Sequence, residues 1–263
     1  MRHDCILRSA ELRSANPDTI RIDLTSYSAL SFDVYGTLID WEAGIAKVLG
    51  EWAARRGASL DDEALLLAYA DNEAAVERDF PTLAYCEALQ AAFRRTARDL
   101  GLPVTDEEVQ VLGRSVPQWP AFGDTHEALT RLQQHYKLII LSNVHRQGVD
   151  GSIRLMGVEF DQVNTAEDIG SYKPSPRNFQ VLLERVTRLG IEGQQLLHVA
   201  QSLFHDHVPG KSAGLDTVWI NRRHDRPGWG ATPDPRVSVT PDAEFESLAA
   251  FADAVDAAFA ARG

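Results

Sequence analysis

Four short stretches of this chain set polar, reactive side chains at points where an apolar run stops. In Ala29-Leu30-Ser31-Phe32-Asp33 the run ends in a carboxylate, followed at once by Val34-Tyr35-Gly36-Thr37-Leu38. A carboxylate at a strand end can simply accept from capping amides. The tight glycine turn opens a functional alternative, because exposed backbone N–H groups there form a small anion-binding nest beside the carboxylate. Leu141-Ser142-Asn143 brings hydroxyl and amide donors straight after a second apolar run, a pattern that also suits a helix N-cap. In Ser171-Tyr172-Lys173-Pro174 the proline keeps the lysine out of helical conformation, so that its ammonium can be aimed; a solvated surface lysine is the alternative. Gln201-Ser202-Leu203-Phe204-His205-Asp206-His207 follows the apolar Leu196-Leu197-His198-Val199-Ala200 and sets an acid between two imidazoles.

Each stretch needs a strand to present it. Residues 29–33, 137–141, 196–200 and 217–221 read as buried strands, Gln162-Val163-Asn164-Thr165 as a short one, and Val237-Ser238-Val239 as the last. Helical patterns over 179–189 and up to Gly214 lie between them, with a closing helix over 243–262. Such alternation predicts an α/β fold with a parallel sheet covered on both faces, and ligands in such sheets bind at the carboxyl ends of the strands. Asp33, Ser142, Asn143 and Gln201 all stand there. Residues 41–118 hold helical patterns and no convincing strand: 41–56 stops at Gly57, the acidic Asp61-Asp62-Glu63 suits a helix N-terminus, and 70–77, 84–100 and 106–114 follow. The expected organisation is an N-terminal extension (1–28), a core (29–40 and 119–263) and an inserted helical cap (41–118).

The 263 residues are 44% hydrophobic and 24% charged, ordinary for a globular chain. A net charge of -12 repels nucleic acid and anionic lipid at long range, so neither is an expected partner. Local donors can still hold a small anionic substrate. Cys5 and Cys86 match no metal spacing. No run is long enough to span a membrane and no secretion signal is visible, which makes a cytoplasmic protein the expectation.

Taken in order, the four stretches resemble the four motifs of the haloacid dehalogenase superfamily, from Asp33 to about Arg222. Asp33-Val34-Tyr35-Gly36-Thr37-Leu38, Leu141-Ser142-Asn143 and Val218-Trp219-Ile220-Asn221-Arg222 are most similar to its L-2-haloacid dehalogenase branch. The resemblance implies a Rossmann-like core with a helical cap, and hydrolysis in two steps. Asp33 displaces halide from the α-carbon of a short 2-haloacid, and water then opens the aspartyl ester to give a 2-hydroxy acid. Lys173 keeps Asp33 ionised, and Thr37 fixes its rotamer. Ser142 and the backbone amides of Val34 and Tyr35 bind the substrate carboxylate, Asn143 donates to the departing anion, and Asp206 orients or activates water. His205 could share that task with Asp206, or one of His205 and His207 packs while the other faces solvent. Trp119 and Phe122 would line the cavity or pack the hinge. Family members are often dimers, so a homodimer is compatible.

Two positions discriminate within the superfamily. Phosphatases carry a general acid two residues after the nucleophile, to protonate an alkoxide; here that residue is Tyr35, and a halide needs no proton. They also place an acid where Gln201 stands, and a neutral amide weakens a magnesium site. No cofactor is expected, with magnesium disfavoured rather than excluded. Other positions depart from the dehalogenase pattern: Gln201 replaces a serine, Leu203 an asparagine and Phe179 a tyrosine, while Arg78 is the candidate for the halide-cradling cap arginine. The alternatives are the same covalent chemistry on another activated carbon, such as a strained cyclic amino acid, then a magnesium-dependent phosphatase, then a non-catalytic binding protein.

Overall fold

A computed structural model describes residues 20–229 and 232–262. Strand β1 (Ala29–Phe32) is buried along its whole length because a parallel neighbour lies on each side, β2 (Lys137–Ser142) and β4 (Leu196–Ala200). β3 (Gln162–Thr165) pairs outside β2, β5 (Asp216–Ile220) outside β4, and β6 (Ala243–Phe245) outside β5, all parallel, in the order β3-β2-β1-β4-β5-β6. Phe32 is level with Ile140 and with Val199, so Asp33, Ser142 and Gln201 leave the sheet close together. The chain builds β2 and β3 on one side of β1 and then returns to β4 on the other; the crevice at that reversal is where such sheets hold ligands.

Alternation along the strands divides the core. Leu30, Phe32, Leu138, Ile140, Leu197 and Val199 belong to one apolar cluster, which runs on into the helices of residues 41–115. Ala29, Ile139, Leu141 and Leu196 face the other way, against Phe179, Leu182 and Val186.

Four helices lie between β1 and β2: α1 (Trp41–Ala54), α2 (Asp62–Asp79), α3 (Tyr85–Asp99) and α4 (Asp106–Ser115). Their ends follow local chemistry. Asp40 and Asp61 accept from Ala43 and Ala64 N–H at the starts of α1 and α2, Thr105 and Glu108 form a capping box on α4, and Gly57 adopts a φ of 70° after α1. Among the described residues of 41–115 there is no strand. The remaining helices are α5 (Thr125–Leu132), α6 (Arg146–Met156), α7 (Ala166–Ile169), α8 (Pro176–Arg188), α9 (Val208–Ser212) and α10 (Leu248–Ala260), with a wide π-type turn at Leu203–His207.

The structure corrects three expected elements. Val237-Ser238-Val239 is not a strand; Val237 is exposed, and Pro233, Pro235 and Pro241 nearby remove ladder donors. The last strand is Ala243–Phe245, in register with Val218–Ile220. The closing helix therefore starts later, at Leu248, where the Ser247 side chain accepts from Ala250 N–H. The helical patterns near Asp61 and Ala70 belong to one continuous α2. Of the N-terminal extension, residues 1–19 lie outside the described residues. The rest is docked: Leu24 and Tyr27 are buried, Tyr136 Oη donates to Leu24 O, and Tyr27 Oη donates to Asp216. Among the described residues no helix is long and apolar enough to cross a membrane.

Candidate active site

Lys173 sits in the loop between α7 and α8, beneath the ends of β1 and β2. Its Nζ donates to Asp33 Oδ1 at 2.9 Å, Asp206 Oδ1 at 2.7 Å and Leu141 O at 3.1 Å. All three ammonium protons are thus used, and the side chain is only 2% exposed. Asn143 holds this loop: its Oδ1 accepts from Lys173 N–H at 2.7 Å and its Nδ2 donates to Lys173 O at 3.1 Å. Thr37 Oγ1 donates to Asp33 Oδ2 at 2.7 Å and accepts from Gln201 N–H at 2.9 Å. The carboxylate is therefore clamped at both oxygens. Gly36 makes the turn possible with a φ of 98°; a side chain there would press on Trp41 Nε1 at 3.1 Å and Gln201 Oε1 at 3.2 Å.

Behind Asp206 lies His198, fully buried in β4. Its Nε2 donates to Asp206 Oδ1 at 3.0 Å, and its Nδ1 is hydrogen-bonded to Ser31 Oγ at 2.8 Å. Burial opposes charge on all three central groups, and pairing answers it. Despite desolvation, Lys173 and His198 hold the Asp206 carboxyl below the usual carboxylate range, and the two carboxylates raise the Lys173 ammonium. For Asp33 desolvation raises the carboxyl against the pull of Lys173 and Thr37. Asp206 Oδ2 is buried and accepts no hydrogen bond.

A small cavity of about 50 Å³ opens over these groups. Its floor is Asp33, Ser142, Asn143, Lys173, Ser202, His205 and Asp206; Tyr35, Trp41, Thr232 and Pro233 form walls; Glu73, Glu77, Ala70, Ala74 and Tyr85 come from the helical insert above. Tyr85 Oη donates to Glu73 Oε1 at 2.8 Å, and Asn143 Nδ2 donates to Glu77 Oε2 at 3.3 Å. Tyr35 Oη is hydrogen-bonded to Ser152 Oγ at 2.8 Å, and burial pushes its phenol up.

Asp33, Tyr35, Ser142, Asn143, Lys173, His205 and Asp206 thus meet at one cavity, as their positions in the sequence suggested. Thr37 supports from below. Val34 has its side chain in the apolar core, which leaves its backbone amide as the group it can offer a ligand. Several other residues are placed differently from their expected roles. Ser142 does not cap α6, whose N-cap is His145; its Oγ accepts from Val144 N–H. Gln201 turns away, accepting from Thr232 Oγ1 at 3.2 Å and lining a separate cavity with Trp41 and Arg222. Arg78 is 72% exposed and pairs with Asp79; it follows the buried face of α2 by one position and so points outward. Phe179 is fully buried in the second apolar cluster with Ile139, Leu141 and Leu196, and sits edge-on to His198 at 5.4 Å. His207 packs, its Nε2 donating to Ala200 O, while His205 reaches the cavity. Trp119 is packed edge-on to Tyr35 and bonded to Ser115, and Phe122 lies under the Arg222 guanidinium.

Sequence reasoning missed Glu73, Glu77, Tyr85 and His198. The signal for the glutamates was there: they continue the stripe Leu65, Leu66, Tyr69, Ala70 and Val76 that α2 buries, so helical spacing turns two acids inward.

A family model for haloacid dehalogenase-like hydrolases matches residues 27–214. The (S)-2-haloacid dehalogenase of Pseudomonas fluorescens is 28% identical over 198 residues, 73% of this chain and 84% of its own. The (S)-2-haloacid dehalogenase 4A of Burkholderia cepacia is 27% identical over 218 residues, 79% and 89% of the two chains. The crystal structure of the L-2-haloacid dehalogenase RSc1362 superposes with a TM-score of 0.73 at 22% identity, covering 88% of this chain and 99% of that one. With strand ends, the glycine turn after Asp33 and the lysine loop arranged as described, the chain belongs to the haloacid dehalogenase-like hydrolases.

Proposed function

We propose that this hydrolase converts a short 2-haloalkanoic acid into the 2-hydroxy acid through an ester formed on Asp33. The observation that carries the proposal is the Lys173 ammonium, bound to Asp33 and Asp206 together at the base of the cavity. It favours an ionised, oriented Asp33. One Asp33 oxygen bonds to C2 from the face opposite the halogen. The C2–halogen bond breaks, the halide keeps the electron pair, and C2 is inverted. Water then adds to the aspartyl carbon, the bond from that carbon to the oxygen carried by C2 breaks, and that oxygen takes up a proton released by the water to become the product hydroxyl. One of the original Asp33 oxygens leaves on the product. Asp206 Oδ2, buried with no donor, is the acceptor assigned to the water proton. Ser142 and the backbone amides after Asp33 receive the substrate carboxylate. Asn143 is reassigned from the leaving group to the lysine loop, since both ends of its amide are committed there. The names of the curated relatives support this substrate class.

The residues do not fit a magnesium ion. Asp33 Oδ1 and Asp206 Oδ1 accept from the Lys173 ammonium, Asp33 Oδ2 accepts from Thr37, and Gln201 faces elsewhere, which leaves Asp206 Oδ2 as the one oxygen of the two carboxylates without a donor. Among the described residues no group of three or more His, Cys, Asp and Glu side chains could hold a metal. A metal-free reaction is proposed, with turnover unchanged by a chelator as the expected result. Tyr35, a neutral phenol held by Ser152, is no general acid for an alkoxide, which argues against a phosphatase. A cytoplasmic enzyme acting on small molecules, as monomer or homodimer, completes the proposal; light scattering decides between the two states.

Chloride release from (S)-2-chloropropionate is the primary test. In a single turnover in heavy-oxygen water the lactate should carry unlabelled oxygen, and labelled lactate would exclude the ester. Asp33→Asn should fold and be inactive; retained turnover would remove Asp33 from its role.

A further inference from the structure

The cavity has more acid than a simple haloacid can use. Asp33, Asp206, Glu73 and Glu77 line it, against one ammonium, Lys173, and that ammonium is spent on Asp33, Asp206 and Leu141 O. Glu73 and Glu77 are 6% and 7% exposed, one helical turn apart on α2. Tyr85 Oη donates to Glu73 Oε1 and Asn143 Nδ2 to Glu77 Oε2, and the Tyr69 hydroxyl also lies against Glu73. Among the described residues neither has an ion pair. The one arginine nearby in sequence, Arg78, points to solvent. His205 offers no charge at neutral pH, since burial lowers its pKa to about 4. Burial with no cation beside them disfavours charge on both acids, raising Glu73 to about 7 and Glu77 well above its ordinary value, and a carboxylate-only substrate brings no cation to relieve that cost.

We propose that this ceiling is a cation subsite. Glu73 and Glu77 receive a protonated amine carried by the substrate, so the molecule attacked by Asp33 is a zwitterion: a carboxylate with an ammonium a few atoms from its reacting carbon. The substrate carboxylate goes to Ser142 and the turn amides, the ammonium to the ceiling, and each finds an opposite partner through charge-assisted hydrogen bonds. The substrate class rests on the Asp33 reading; the subsite itself does not.

Calorimetric titration of the full chain with two candidate products separates them. The probes are lactate and 4-amino-2-hydroxybutanoate, which differ chiefly by the aminated arm. The aminated acid should bind about tenfold or more tightly than lactate, and the preference should fall to about one in Glu73→Gln/Glu77→Gln, with folding checked by circular dichroism. The single variants should fall between, and stand in if the double variant does not fold. Equal binding, no binding of either acid, or a preference that survives the substitutions overturns the subsite. Failure of the nucleophile instead shows as turnover by Asp33→Asn, and leaves the binding comparison intact. Two substrates then locate the ammonium. Chloride release from 2-chloro-4-aminobutanoate means that it stays on the substrate. Ring opening of azetidine-2-carboxylate, in which the C2–N bond breaks and nitrogen keeps the pair, means that it departs. Either supports the proposal; faster turnover of 2-chloropropionate than of both counts against it.

Discussion

Lys173 is the residue on which the electrostatics of the site turn. Burying an ammonium costs several kcal/mol, and only close, well-aimed carboxylates offset it; Asp33 and Asp206 do so at 2.9 and 2.7 Å. Lys173→Met should therefore leave two buried acids facing each other. The expected result is no detectable halide release and a loss of about 3–5 kcal/mol in urea unfolding. Arginine should not rescue it, because its planar fork cannot reproduce three donors converging from one nitrogen. Asp33, Thr37, Lys173 and Asp206 were legible in the sequence, since each follows a strand end, a glycine turn or precedes a proline, and these are local signals. His198 was not: a histidine inside an apolar strand says nothing of its neighbour until β4 and the Leu203–His207 turn bring Asp206 to its ring.

Among the elements, α2 sets the charge of the cavity's upper wall with Glu73 and Glu77, and Arg223 ties the helical insert to the sheet side. Arg223, 9% exposed, follows β5 and donates to Glu42 of α1 at 3.0 Å and to Glu63 of α2 at 2.6 Å. Trp119 closes the other side over α1, where any side chain at Gly44 would meet it at 2.2 Å. Arg223→Ala should loosen the insert without touching the sheet. Amide exchange should quicken over 41–54 and 62–79 and stay unchanged in β1, β2 and β4, with a stability loss of about 1–3 kcal/mol and a raised KM. Uniformly faster exchange would instead mean a global effect. The helices of the insert were readable from period and caps. The strand at Ala243–Phe245 was not, because three residues with an exposed edge carry too little alternation to outweigh an alanine-rich helical pattern.

For the whole molecule, buried titratable groups set opposing pH limits. Burial lowers His205 and His207 to about 4, below their unfolded value of 6.5. The unfolded chain binds more protons in between, so their contribution is complete above about pH 6.5 and is lost as pH falls through 4. Glu73 runs the other way: burial raises it from 4.5 to about 7, so its contribution is present below pH 4.5 and lost as pH rises through 7. Glu73→Gln should therefore raise the unfolding free energy measured in urea above pH 7, by at most about 3 kcal/mol, and leave it unchanged below pH 4.5; an equal gain at both ends would contradict the assignment. By itself the sequence determined the fold class, the order of the four reactive stretches and the family, because apolar runs and their glycine and proline stops act over a few residues. Only the tertiary structure decided the charge of the cavity. That charge depends on which face of α2 docks over β1, and two inward glutamates, an outward Arg78 and an averted Gln201 follow from packing between residues far apart in the chain.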